Sequence, residues 1–125
     1  MDPYRLDASA ANVPTATAAL RQRLRELADL LPAPALADLR AIVNELVGNC
    51  VAHGPGATIR LVVEVARDGF VRGTVGDGSV PSPDIRPASQ SGDTGIGLLI
   101  VDTLASRWGV DVASKNVWFE LAPQV

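Results

Sequence analysis

Ile59-Arg60-Leu61-Val62-Val63-Glu64-Val65-Ala66-Arg67-Asp68-Gly69-Phe70-Val71-Arg72-Gly73-Thr74-Val75 is the stretch from which the fold can be read. Ile59, Leu61, Val63 and Val65 alternate with Arg60 and Glu64, the two-residue period of a strand with one face buried. Asp68-Gly69 then offers a tight turn, and Phe70 to Val75 returns to β-prone residues, so the stretch reads as a hairpin.

Upstream of the hairpin the period changes. Leu36, Leu39, Val43, Leu46 and Cys50 recur at three- and four-residue spacing, which predicts a helix with Pro34 in its first turn. His53-Gly54-Pro55-Gly56 should stop it, since glycine accepts a left-handed cap and proline cannot continue the hydrogen-bond ladder. Ahead of Pro32, the stripe Ala16, Leu20, Leu24, Leu27 and Leu31, with Arg21, Arg23, Arg25 and Asp29 opposite, predicts an earlier amphipathic helix. Tyr4, Leu6 and Ala8 allow a short edge strand.

Downstream, residues 78–94 hold Gly78, Gly92, four serines and Pro81, Pro83 and Pro87. That composition suits an exposed loop, and its length suits a lid over a site. Ile96 to Trp108 is apolar around most of its circumference and predicts a third, deeply covered helix. Val110 and Val112 should then pair with Val117, Phe119 and Leu121 across Ser114-Lys115-Asn116. Together these elements predict an α+β fold: a two-layer α/β sandwich in which helices cover one face of a mixed, mainly antiparallel sheet, with residues 1–125 forming a single domain.

Composition bounds the function. The 125 residues are 47% hydrophobic and 20% charged, with a formal net charge of -3, which argues against direct binding to nucleic acid. Cys50 is the single cysteine, so no internal disulfide framework or cysteine-based zinc site is expected. Met1-Asp2-Pro3-Tyr4 lacks the basic and apolar character of a signal peptide, and no run of about eighteen apolar residues occurs, so neither export nor a membrane is expected. The expectation is a cytoplasmic protein.

Three places can carry chemistry. Glu45 and Asn49 stand four residues apart on the second helix and project from one face. An amide oxygen there can help hold Mg²⁺ while the carboxylate accepts a proton, although the pair could equally be the wet side of the helix. Asp77 ends a β segment before Gly78, where a carboxylate can accept from an adenine amine and a glycine lets a flat ring approach; an ordinary Asp-Gly turn would look the same. Gly95-Ile96-Gly97 opens a helix, where free amides and the dipole favour phosphate, although glycines also permit a tight turn. No G-x-x-x-x-G-K-[ST] motif occurs, and this G-x-G follows a polar loop instead of a strand, so the two common nucleotide fingerprints are absent.

Taken in order, Asn44-Glu45-Leu46-Val47-Gly48-Asn49-Cys50-Val51-Ala52-His53-Gly54, Val75-Gly76-Asp77-Gly78 and Thr94-Gly95-Ile96-Gly97-Leu98-Leu99-Ile100-Val101-Asp102 resemble the N-box and the two glycine boxes of the GHKL superfamily of ATP-binding domains. Within it the chain is similar to the small histidine kinase-like ATPases related to bacterial anti-sigma factor serine kinases. The resemblance covers nearly the whole chain and implies a Bergerat-type fold, ATP with Mg²⁺, and 78–94 as the ATP lid. It implies Glu45 as general base, Asn49 as the Mg²⁺ ligand, and Asp77 as the adenine contact beside Gly78. Thr94, Gly95, Ile96, Gly97 and Leu98 would form the phosphate turn, with Asn116 near adenine where the family often has threonine.

The activity implied is that of a serine/threonine protein kinase in transcription regulation, with a sigma factor or anti-anti-sigma protein as partner and a homodimer as an option. The sequence departs from the family in three ways. Gly78-Ser79-Val80-Pro81 replaces a full D-x-G-x-G, Asn116 replaces threonine, and Arg86 is the lid's one basic residue. Glu45 favours the enzyme, whereas the changed glycine box and the lid's one basic residue favour the alternative, a non-catalytic, nucleotide-responsive module that sequesters a protein partner.

Overall fold

A computed structural model describes residues 3–52, 58–76, 95–111 and 116–123. Strand β1 (Tyr4–Ala10) precedes helix α1 (Ala16–Arg23), a 3₁₀ turn (Leu24–Leu27) and helix α2 (Ala33–Ala52). Strands β2 (Ile59–Val65) and β3 (Val71–Gly76) follow, then helix α3 (Gly95–Leu104) and strands β4 (Arg107–Val110) and β5 (Val117–Leu121). The helix stop at 53–56, the lid at 78–94 and Val112 lie outside the described residues.

The sheet order is β1-β2-β3-β5-β4, and every pairing among the described residues is antiparallel. Strands β3 and β4 each run antiparallel to β5, which lies between them, so they point the same way. The chain therefore passes from β3 through α3 and skips one strand position, leaving a slot that β5 fills. The expected hairpin is present, with Val65 opposite Val71 and Gly76 opposite Arg60. Its turn needs a glycine: Gly69 has φ 87°, its amide donates to Ala66 O at 3.0 Å, and the Phe70 amide donates to Asp68 Oδ1.

Alternation decides which sheet face is covered. Leu6, Ala8, Ile59, Leu61, Val63, Val75 and Phe119 pack with Leu20, Leu39, Ile42, Val43 and Val47 in one core cluster. The Phe119 ring lies over Gly73, where it would collide with any Cβ. The opposite face carries the cross-strand pairs Arg5–Glu64 and Arg72–Glu120, and Arg60 on Asp7. Exposed pairs are worth about 0.2–1 kcal/mol each, against about 1.5–3 kcal/mol for each large apolar side chain fully buried. Burial, more than charge, therefore fixes the register.

Three expectations are corrected. The first helical stripe tightens after Arg23: Leu24 to Leu27 is 3₁₀, which turns both leucines inward at three-residue spacing before Pro32. The third helix ends at Leu104, not at Trp108. Ser106 donates its amide to Glu120 O, continuing the pairing of β5, which a longer helix would leave open to solvent. The Trp108 Nε1 donates to Asp102 Oδ1 at 2.9 Å, tying the new strand back to α3. Nor is α3 deeply covered all round: Val101 is fully buried while Leu99 is 52% exposed. Two helical positions separate them by about 200° around the axis.

Candidate functional site

The candidate site centres on the second half of α2. Ile42, Val43, Leu46 and Val47 face the core, which leaves Asn44, Glu45, Gly48 and Asn49 half-buried at the margin of the covered side. Glu45 and Asn49 thus share one edge of the helix, a turn apart, as their spacing predicts. The helix is braced from outside that edge: Arg21 donates to Asn44 Oδ1 at 3.1 Å, and the Asn12 amide donates to Cys50 O at 3.3 Å.

Gly48, between the two polar residues, was not singled out by its sequence. A Cβ built on it meets no heavy atom within 4 Å among the described residues. A mid-helix glycine costs roughly 1 kcal/mol relative to alanine, and no packing contact here requires one. Among the described residues, the space beside Glu45 and Asn49 is open.

The strand register brings a second group together. Gly76 ends β3, and Asn116 stands immediately before Val117, which pairs with Val75. The Asn116 side chain occupies the space that a Cβ on Gly76 would fill, with Asn116 Cγ 2.7 Å from that position. Asn116 O accepts from the Asp111 amide at 2.8 Å, which holds the approach to β5 in place. The Asn116 amide therefore lies on bare backbone, one residue before Asp77. Gly76 is a second position that the motif contained without marking, and only the register reveals its use.

Helix α3 packs along α2 and leads through Ala105 and Ser106 into β4. Arg107 opens β4 opposite Glu120, away from the sheet end that carries Gly76 and Asn116. Gly95, Ile96, Gly97 and Leu98 form the first turn of α3, at its other end, about 15 Å from the junction with β4. Asp77, Gly78 and Thr94 lie outside the described residues.

The donor set suits a magnesium nucleotide. Glu45 and Asn49 supply hard oxygens of the kind Mg²⁺ prefers, Gly48 leaves room beside them, and Asn116 presents an amide of the kind that reads a purine edge. The described residues contain no group of three His, Cys, Asp or Glu that could hold a metal by itself. No helix among the described residues is long and apolar enough to cross a membrane.

A family model described as the histidine kinase-like ATPase domain matches residues 7–119. No curated protein gives a significant match. The matched span runs from β1 to β5 and takes in α2, Gly76, the first turn of α3 and Asn116. The chain belongs to the histidine kinase-like ATPase domain family, a family of ATP-binding domains.

Proposed function

We propose that the chain is a cytoplasmic, ATP-dependent serine/threonine protein kinase of the anti-sigma factor type, regulating transcription through a partner protein. Glu45 and Asn49 carry the proposal: a carboxylate and an amide stand one turn apart at the margin of α2, beside helix backbone that Gly48 leaves open.

Bound Mg²⁺-ATP would supply the γ-phosphoryl group, with the metal offsetting the charge of its transfer. Asn49 would hold the metal through its amide oxygen. Glu45 accepts the proton of the partner's serine hydroxyl as that oxygen takes the phosphoryl group and ADP leaves with the bridging oxygen. Asp77 and Asn116 would hold the adenine end, with Gly78 giving the ring access to the backbone. Thr94 and the amides of Gly95 to Leu98 would hold the phosphates at a helix N-terminus. Most of the catalysis comes from positioning and charge neutralisation.

A second reading, a nucleotide-responsive module that binds a partner and transfers nothing, is favoured by Gly78-Ser79-Val80-Pro81 and by Arg86 as the lid's one cation. Incubation with Mg²⁺ and labelled ATP, with and without an anti-anti-sigma protein, separates the two. Label on the partner's serine, lost in Glu45→Gln while nucleotide affinity is kept, supports the kinase. Undiminished transfer by Glu45→Gln removes Glu45 as base, and nucleotide binding with no transfer selects the module.

A further inference from the structure

The outer side of the first helical segment meets α2 at an open cleft of about 410 Å³, lined by Ala18, Arg21, Gln22, Arg25 and Arg40. Among the described residues, three guanidinium groups line it and no carboxylate does. The nearest acid along the chain, Glu26, is engaged by Arg23 and by the Tyr4 hydroxyl. Arg21 is held by Asn44, and among the described residues neither Arg25 nor Arg40 forms an ion pair. Gathering like charges on one surface opposes folding, so the cluster gains nothing for the isolated chain.

We propose that this cleft docks an acidic helical segment of a partner protein. Arg21 and Arg25 stand four residues apart on successive turns, and Arg40 faces them from α2. Carboxylates spaced one helical turn apart match that layout, because each can accept two parallel N–H bonds from one guanidinium. The chain carries a net charge of -3, so the cleft is a local positive patch on an acidic molecule. Such a patch orients an acidic partner and disfavours other approaches. Three cations without an aromatic side chain among them make a poor nucleic-acid groove, which needs a longer basic track or stacking platforms. Docking here requires no ATP and stands apart from the kinase reading. Even so, Arg21 reaches Asn44, the neighbour of Glu45, so both surfaces share α2.

The test titrates the full chain into a labelled, alanine-based helical peptide with glutamates at four-residue spacing and follows fluorescence anisotropy. Saturable binding is expected, weakened roughly tenfold or more in the Arg25→Glu, Arg40→Glu double variant and suppressed by salt. Amide shifts on the wild-type chain should centre on residues 18–25 and 40. Both arginines are exposed, and Arg25→Gln with Arg40→Gln reads the same loss should charge reversal prevent folding. No saturable binding, equal binding by the variants, or equal binding of a glutamine version of the peptide overturns the proposal. It is also overturned if single-stranded DNA binds more tightly than the peptide, or if the chain forms a dimer that the double variant dissolves, which would make a second copy the occupant.

Discussion

The side chain of Asn116 fills the place of a Cβ on Gly76, so the last residue of β3 and the residue preceding β5 fit only because one of them has no side chain. Gly76→Ala forces the amide off the backbone. Overpacking of this kind costs about 1–3 kcal/mol, and the amide should also lose its position for the nucleotide. Urea denaturation checks the first effect, and a double-mutant cycle with Asn116→Ala checks the cause. The second substitution should recover most of the stability lost to the first and none of the nucleotide affinity.

Gly48 gives the opposite sign. Alanine there meets open space and removes a flexible residue from a helix interior, so Gly48→Ala should raise stability by roughly 0.5–1 kcal/mol. If ATP lies against α2 at this turn, the added methyl group should weaken its binding at the same time. Thermal melts with and without Mg²⁺-ATP read both effects: a higher melting point for the free variant and a smaller ligand-induced increase. A gain in stability with unchanged affinity would move the ligand away from Gly48.

Much of this was legible in the sequence, and unevenly so. Leu39, Val43 and Leu46 mark α2 because an amphipathic helix repeats its period over many turns, and Ile59 to Val65 mark β2 because alternation is short but strict. Ala105 to Trp108 could not be placed that way: a brief apolar run looks alike in a buried helix and a buried strand. Only the open hydrogen-bonding edge of β5 draws Ser106 out of the helix, and that edge is a property of the assembled sheet. That Glu45 and Asn49 share one edge of α2 was readable from their spacing, whereas the space beside Gly48 and the fit of Asn116 on Gly76 exist only once the chain is folded. Asp77, Gly78 and Thr94 lie outside the described residues.

The exposed sheet face predicts a pH effect. Asp7 is held below its ordinary value of 3.8, first by the hydrogen bond from Arg60, against an opposing effect of desolvation, and further by the charges of Arg60 and Arg5. Glu26 is likewise held below 4.5, chiefly by its hydrogen bond from Arg23. A carboxyl whose folded pKa is depressed stabilises the fold fully above its unfolded value, and that contribution is lost as pH falls through the folded value. Stability should therefore decline on acidification through and below the carboxylate range, and the decline should be shallower in Asp7→Asn. Because both groups are exposed, the difference between variant and wild type should be small and should shrink in high salt. Urea melts across that range measure the slope, and identical slopes would deny Asp7 a part in it.

Calorimetric titration of ATP into the wild-type chain and into Asn49→Ala, with Mg²⁺ and then with EDTA, tests the α2 site most directly. Saturable binding is predicted for the wild type, weakened at least about tenfold in the variant when Mg²⁺ is present and nearly equal in the two proteins once it is removed. No saturable binding by the wild type, or an Asn49→Ala variant that binds Mg²⁺-ATP as tightly as wild type, would contradict a magnesium-nucleotide site on α2.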